Sequence, residues 1–256
     1  AACASSEKLA SGSRDATVRL WDLETAKQTR CARLPRNLVT CLTWVPNTQT
    51  FAQGSEDLTL RVWDARSSVA SPALSFHSSR YFPVCVDADG NYLVTGTKGF
   101  QRGEGCQVQV WDLRSPGSGP LLGGCDDDDT RAHSQDVSGV CYLPARLPSI
   151  ASCSKDGTLR LWDFSSSAAS IKQQRDPPAS LCVGHSQPIF TSLSARRGSS
   201  NADDEGAVVA AATTFQGGLY AFRAVTCDDE AASSSEGERE ATHVVGGGRR
   251  RIALKK

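Results

Sequence analysis

The sequence has no methionine, few aromatic residues and no net charge. Among 256 residues, aromatic side chains make up 7%, and 28 Lys and Arg residues balance 28 Asp and Glu residues. This balance argues against general nucleic-acid binding, which needs an excess of cations to neutralise phosphates. No stretch approaches the roughly 20 apolar residues that span a bilayer, so no membrane insertion is expected. The missing methionine, together with the start at Ala1, predicts a fragment of a longer chain.

Metal-binding spacings are also absent, although the chain has ten cysteines. No Cys-x-x-Cys pair and no Cys/His cluster with zinc spacing occurs, so no metal and no cofactor are expected. Cys41, Cys85 and Cys141 lie in short apolar runs, where a free thiol behaves as a small hydrophobic side chain. We therefore predict free thiols in a reducing compartment, and a cytoplasmic protein.

The chain does contain an internal repeat that ends in Trp-Asp. This dipeptide begins at residues 21, 63, 111 and 162, so the steps are 42, 48 and 51 residues. Four of the five tryptophans therefore occupy a single slot of the repeat. A fifth, degenerate copy spans residues 213–223, where Phe222 takes the tryptophan slot. Self-similarity at this period indicates a repeat architecture.

Each copy reads as a strand, a tight turn and a second strand. The segment Thr-Val-Arg-Leu-Trp at residues 17–21 alternates with period two, as a half-buried strand does. Asp15, Asp57 and Asp156 occupy the turns, where a short carboxylate bonds nearby backbone N–H groups. A further apolar strand precedes each later copy, and in three cases a histidine stands four residues before that strand. These histidines are His77, His133 and His185.

The histidine, the turn aspartate and the terminal Trp-Asp together resemble the WD40 family, over about residues 8–223. The resemblance implies an all-β fold, a β-propeller with about four and a half to five blades visible, as an N-terminally truncated part of a larger ring. Blade 1 is expected to be represented only by its second half. The predicted blades are residues 1–30 (partial), 31–76, 77–131, 132–184 and 185–226 (degenerate). Residues 227–256 are expected to be an acidic, Ser-rich segment and a loose, basic C-terminal tail.

One blade carries a complete set of the residues that WD40 proteins join in a hydrogen-bond chain. These are His133, Ser152, Asp156 and Trp162. Serine, histidine and aspartate also suggest hydrolysis, but that chemistry needs an exposed nucleophile beside an oxyanion hole. The resemblance implies instead a buried network that locks the strands of one blade, so no catalytic residue is predicted. Other blades keep parts of the set, namely Asp15 and Trp21, Asp57 and Trp63, His77, Thr95 and Trp111, and His185.

In WD40 proteins, partners often dock around the narrow top opening, beside the start of each innermost strand. Carried over to this sequence, those positions include Leu38, Arg80, Phe82, Asp136 and Phe190. The lengthened turn of blade 3 would add Lys98, Phe100 and Arg102 to the same face. We call Arg80, Phe82, Lys98, Phe100 and Arg102 the blade-three patch. Arginine and aromatic residues are enriched at interface hot spots, so this patch is our hypothesis for the main partner site. The alternative is an insertion that the fold merely tolerates.

Two shorter segments resemble more specific families, and each resemblance implies a different function. Residues 81–114 resemble the family of WD repeat-containing protein 31, which is implicated in ciliary assembly and trafficking. The Trp-Asp-x-Arg motifs that end at Arg66 and Arg114 resemble those of cullin-4 ubiquitin-ligase substrate receptors, in which the arginine docks on the ligase adaptor. The alternative for both arginines is local pairing.

The sequence thus predicts a non-catalytic scaffold that binds other proteins and no small-molecule substrate, in the cytoplasm or the cilium. The alternative function is a cullin-4 ligase substrate receptor. A regulatory part of a larger enzyme stays a third option.

Overall fold

In the computed structural model, the described residues form strands and connecting turns, with no helix among them. The structure describes residues 1–34, 38–67, 71–77, 81–121, 133–143, 149–163, 179–182, 189–197, 208–226, 239–245 and 248–255. The chain divides into two compact units, Ala1–Val137 and Ser138–Lys256. Five separate sheets follow one another along the chain, so the predicted all-β fold is confirmed.

The first sheet has four strands, in the order β1-β2-β3-β4. They are β1 (Ala2–Ala4), β2 (Lys8–Gly12), β3 (Thr17–Asp22) and β4 (Lys27–Arg33). The expectation that blade 1 holds only its second half is therefore wrong. The reason is that β1 is three residues long, too short to show an alternating pattern, yet Ala2 pairs with Ser11 in an antiparallel ladder.

The second and third sheets complete the first unit. The second contains β5 (Val39–Trp44), β6 (Thr50–Ser55), β7 (Thr59–Asp64) and β8 (Leu74–His77). The third contains β9 (Phe82–Asp89), β10 (Tyr92–Lys98) and β11 (Val108–Asp112), which are its strands within the described part of the chain.

The fourth and fifth sheets belong to the second unit, apart from Val137 at the start of β12. The fourth contains β12 (Val137–Leu143), β13 (Ser149–Ser154), β14 (Thr158–Asp163) and β15 (Ala179–Cys182). The fifth contains β16 (Phe190–Arg197), β17 (Val208–Thr214), β18 (Leu219–Thr226), β19 (Arg239–Val245) and β20 (Gly248–Lys255), in the order β16-β17-β18-β20-β19.

The hairpin β19–β20 lies in the stretch that the sequence analysis expected to be a loose tail. Its second strand pairs with β18 in an antiparallel ladder, with Phe222 opposite Leu254. The arginines and lysines of this stretch indicated a loose tail, but the stretch also contains residues that favour β-strands. In the sequence, Val244 and Val245 precede a run of glycines, and Ile252 and Leu254 come after it, which is a hairpin pattern.

Apolar packing joins consecutive sheets within each unit. In the first unit, Ala10 and Leu20 of the first sheet share a buried cluster with Leu42, Phe51 and Trp63 of the second. Glycine allows the close approach. A Cβ atom on Gly12 would lie 2.2 Å from Cγ1 of Val39, and one on Gly96 would lie 2.5 Å from Cγ1 of Val137. Gly12 therefore makes room for the start of β5, and Gly96 makes room for the side chain of Val137.

In the second unit, one cluster spans the fourth and fifth sheets. Ala151 and Leu161 of the fourth sheet share a buried apolar cluster with Phe190, Leu193 and Ala212 of the fifth. The alternating residues of these strands thus form a core between sheets, as period-two patterning predicts.

Candidate functional site

Each tryptophan of the Trp-Asp slot donates its indole N–H to a polar side chain on the neighbouring strand. The donor–acceptor distances are 2.9 Å for Trp21 to Ser11, 3.2 Å for Trp63 to Gln53, 3.1 Å for Trp111 to Thr95 and 2.9 Å for Trp162 to Ser152. The acceptor lies ten residues before the tryptophan in three sheets and 16 before it in the third. Ser11 was not among the predicted residues, although it aligns with Ser152 in the repeat.

The turn aspartates bond to residues two positions later, as predicted. Asp15 accepts hydrogen bonds from the backbone N–H of Thr17 at 2.9 Å and from its hydroxyl at 2.6 Å. Asp156 makes the same pair of bonds with Thr158. Asp57 accepts a bond from the backbone N–H of Thr59 at 3.2 Å and pairs with Arg61. These bonds lock the turn between the second and third strands of the first, second and fourth sheets.

The histidines of the repeat lie in different environments. His133 is buried, and its backbone N–H donates to the carbonyl of Cys106 at 3.1 Å. His77 is exposed at the end of β8, opposite Thr59, whereas Thr95 and Trp111 are buried. The structure therefore does not bury His77 with these two residues. His185 lies outside the described residues.

Ser152 is not placed as a nucleophile. Its side chain is fully buried, and its hydroxyl accepts the indole N–H of Trp162. Acyl transfer needs an accessible hydroxyl beside an oxyanion hole. Burial also raises the pKa of the Cys41 thiol to about 11 and that of Cys153 to about 12, so both thiols are protonated at neutral pH and poor nucleophiles.

The lengthened turn of the third sheet folds back on itself. Oε2 of Glu104 accepts hydrogen bonds from the backbone N–H groups of Phe100, at 3.1 Å, and Gln101, at 3.0 Å. The N–H of Gly99 donates to the Glu104 carbonyl at 2.7 Å. Gly105 has a φ of 63°, and a Cβ atom there would lie 2.4 Å from the ring of Tyr81. The turn is therefore held by its own bonds, with Glu104 at the centre, a role that the sequence analysis missed.

This turn brings together most of the blade-three patch. The rings of Phe82 and Phe100 meet edge to face with centroids 4.6 Å apart. The ammonium group of Lys98 lies 5.9 Å from the Phe82 ring centroid. Phe100 is 71% exposed, and Arg102 is exposed as well. Arg80 lies outside the described residues.

The other residues predicted for the top face differ in exposure. Leu38 and Asp136 are half-buried, which leaves part of each accessible. The prediction for Phe190 is wrong, because this residue is fully buried and packs edge to face against Tyr220 at 5.9 Å. The innermost strand begins at Phe190 itself rather than beside it, and the preceding residue Ile189 is 39% exposed instead.

Arg66 and Arg114 have the same local geometry in adjacent sheets. The Nε and Nη2 atoms of Arg66 donate to the two carboxylate oxygens of Asp64, at 3.1 and 2.8 Å. Arg114 makes the matching bonds to Asp112, at 2.9 and 2.7 Å, and a third to the Tyr92 hydroxyl. Both arginine side chains stay more than half exposed.

These ion pairs shift the pKa values of the carboxyl groups. The hydrogen bond from the Arg66 side chain lowers the pKa of Asp64 to about 2, and Arg114 likewise lowers the pKa of Asp112. Both arginines remain cationic with oriented guanidinium groups. Within the described ranges, Nη1 of each arginine donates no hydrogen bond, so it remains available to an acceptor on another protein.

Two classes of site are not found in the part of the chain that the structure describes. It contains no group of three or more His, Cys, Asp and Glu side chains that could hold a metal ion. Nor does this part include any helix with the length and hydropathy of a membrane span.

Comparison with known proteins supports the repeat. The family model described as WD domain, G-beta repeat, matches residues 1–22, 30–64 and 128–163. Denticleless protein homolog of Danio rerio is 30% identical over 86 residues, which are 34% of this chain and 11% of that protein. The Homo sapiens homolog is 31% identical over 88 residues, 34% of this chain and 10% of that protein. The aligned region thus covers about a tenth of the length of these relatives. Neither of them is WD repeat-containing protein 31, so they do not support the narrower resemblance of residues 81–114.

Solved structures show the same fold at low identity. U3-55K aligns with a TM-score of 0.64 and 16% identity, over 87% of this chain and 61% of that chain. A chain of the mitotic checkpoint complex aligns with a TM-score of 0.61 and 16% identity, over 87% of this chain and 60% of that one. Together with the repeated sheets and their Trp-Asp slots, these matches show that the chain has the fold of a WD40 β-propeller, with WD40 repeats matched in three segments of the sequence.

Proposed function

We propose that the chain is a non-catalytic protein-interaction scaffold whose partner docks on the blade-three patch. The proposal rests on Phe100, which is exposed and yet held in place. Its ring is 71% exposed, yet its backbone N–H is held by Glu104 and its ring rests on Phe82. An aromatic side chain fixed in an exposed position loses little conformational entropy on binding, which favours affinity.

The charges beside Phe100 indicate the chemistry of the partner. Lys98 and Arg102 are cationic, whereas the carboxylate of Glu104 is engaged by backbone N–H groups of the same turn. Complementary charge steers association and sets specificity. We therefore expect a protein partner with an apolar pocket for Phe100 and acidic residues at its rim.

The assignment as a non-catalytic protein is supported by the burial of Ser152 and by the protonated state of the buried thiols. The ciliary setting is supported only by the resemblance of residues 81–114. Localisation of the full-length protein, scored in ciliated cells, tests it: enrichment along the cilium is expected, and uniform cytoplasmic staining would contradict it.

The docking site is tested by affinity purification of the full-length protein with Lys98→Ala and Phe100→Ala. We expect the partners of the wild-type protein to be depleted by each variant. Phe215→Ala is the matched control, because Phe215 is 78% exposed in the corresponding turn of the fifth sheet. Partners retained by Phe100→Ala, or lost equally with Phe215→Ala, would count against the patch.

A second candidate function is substrate receptor of a cullin-4 ubiquitin ligase. It is supported by the equivalent geometry of Arg66 and Arg114, each anchored by its own aspartate with Nη1 still available. A guanidinium group held in this way is pre-organised for recognition of carboxylates or carbonyls. Co-purification with the ligase adaptor is expected, together with its loss in the Arg66→Ala, Arg114→Ala double variant. Arg19→Ala, in the exposed pair with Asp15, is the control. Adaptor binding that survives the double variant would exclude this function.

A further inference from the structure

A cavity of about 710 Å³ opens in the first unit, where the turn before β2 meets the turn between β5 and β6. Its lining includes Ser6, Trp44, Asn47, Gln49 and Arg66. The volume falls within the range of about 300 to 1,000 Å³ that is usual for ligand pockets. None of the described residues of the blade-three patch lines it.

Trp44 is the one tryptophan that the repeat does not explain, since the other four occupy the Trp-Asp slot. Its ring stacks on Phe51 with centroids 5.5 Å apart, and Phe51 stacks on Trp63 at 6.3 Å. Arg30 lies over the Trp63 ring at 5.7 Å and extends the stack. The indole N–H of Trp44 donates to the Thr48 carbonyl at 3.1 Å. Trp44 is therefore a fixed aromatic wall, and Phe51 covers one of its faces.

Among the lining residues that the structure describes, Arg66 is the only one with a charged side chain. Asp64 holds the guanidinium group through Nε and Nη2, which leaves the two N–H bonds of Nη1 for another acceptor. The lining thus combines a fixed aromatic surface with a fixed cation. A ligand that fits both carries an apolar group and an anionic group.

The remaining lining supplies donors for an extended backbone. The backbone N–H groups of Ser6, Asn47 and Gln49 have no hydrogen-bond partner among the residues that the structure describes. Unpaired main-chain donors beside an aromatic wall suit a peptide, whose carbonyl groups can accept from them.

We propose that this cavity is a second binding site, for a short acidic peptide segment of a partner protein. An apolar side chain of the segment packs on Trp44, and a neighbouring carboxylate accepts from Nη1 of Arg66. The site is separate from the proposed docking patch and does not depend on it. It shares Arg66 with the proposed ligase contact, whereas Arg114 belongs to that contact alone.

The probes are short peptides with a central Leu-Glu pair, compared with versions that carry Leu-Gln or Leu-Lys. Binding to the full chain is measured by calorimetry and by tryptophan fluorescence. We expect the Leu-Glu peptide to bind about tenfold more tightly than the Leu-Gln peptide, with the preference lost in Arg66→Gln. Trp44→Leu is expected to weaken both peptides.

The matched control is Arg114→Gln, which removes an arginine of the same geometry outside the cavity. It should leave peptide binding unchanged even where it abolishes adaptor binding, so the two proposals can fail separately. Equal affinity of the wild-type protein for the three peptides, or a preference for Leu-Glu that persists in Arg66→Gln, would overturn the peptide site. Far-ultraviolet circular dichroism of each variant checks that the fold is retained.

Discussion

The carboxylate of Glu104 accepts the backbone N–H of Phe100 at 3.1 Å, so the most exposed ring of the blade-three patch depends on a charged residue four positions later. We predict that Glu104→Ala loosens this turn, because two backbone N–H groups lose their acceptor. Faster amide exchange at Phe100 and Gln101, with little change in the melting temperature, is the expected result. Glu104→Gln keeps one acceptor oxygen and should be intermediate. Exchange that is unchanged in Glu104→Ala would show that the carboxylate does not hold the turn.

A second prediction concerns the buried indole bonds. Thr95→Val keeps the shape of the side chain but leaves the indole N–H of Trp111 buried without an acceptor. We expect a loss of about 1 to 3 kcal/mol in the free energy of unfolding, measured by urea denaturation. Ser11→Ala removes the corresponding bond from Trp21, which is half-buried and can turn to water, so its cost should be smaller. A larger loss in Ser11→Ala would contradict the importance of burial.

The close contact at Gly96 gives a third prediction. In Gly96→Ala, the new methyl group would lie 2.5 Å from Cγ1 of Val137 and 2.6 Å from Sγ of Cys85. Relief of this overlap requires the start of the next strand to shift, and overpacking of this kind costs about 1 to 3 kcal/mol. Gly117→Ala is the control, because a Cβ atom there meets nothing within 4 Å. Equal melting temperatures for the two variants would refute the packing argument.

The pair of Asp64 and Arg66 leads to a prediction about pH. Arg66→Gln should raise the pKa of Asp64 from about 2 toward its ordinary value of about 3.9, measured by carboxyl NMR titration. Because the folded-state pKa is depressed, the pair stabilises the fold above about pH 4, and this contribution is lost as the pH falls toward 2. The stability difference between wild type and Arg66→Gln should therefore shrink over that range.

The control for this titration is Arg19→Gln. The pKa of Asp15 is also lowered, but the largest cause is the hydrogen bond from the Thr17 hydroxyl, and Arg19 contributes least. Removal of Arg19 should therefore move the Asp15 pKa little. A shift at Asp15 as large as the one at Asp64 would mean that charge, rather than the hydrogen bond, dominates these turns.

Features that repeat along the chain could be predicted from the sequence. The Trp-Asp slot, the turn aspartates and the apolar innermost strands recur at regular spacing, and each recurrence supports the others. Strand β1 escaped prediction because three small residues carry no periodic signal, and its pairing depends on β2. Phe190 was misassigned since a shift of one residue in the strand start exchanges the two faces of a strand.

The candidate sites were harder to predict, because they depend on departures from the repeat. The length of the turn in the third sheet indicated that Phe100 belongs to a binding surface. The bonds that Glu104 accepts from N–H groups three and four residues earlier have no sequence signature. Trp44 carried one signal, its position outside the Trp-Asp slot. The cavity beside it is formed by turns of two blades, and their meeting is set by tertiary packing.

The indole bond of the third blade spans 16 residues, whereas that of the other three spans ten, a difference of six. The hydrogen bond between Trp111 and Thr95 joins the strand pair beneath the longer turn and involves none of the residues that the turn adds. Affinity for a partner and stability of the blade are thus assigned to different residues of one hairpin. Residues 100–102 of this turn are a natural place to graft a foreign recognition sequence, because Gly105 and Cys106, which contact Tyr81 and His133, would be kept.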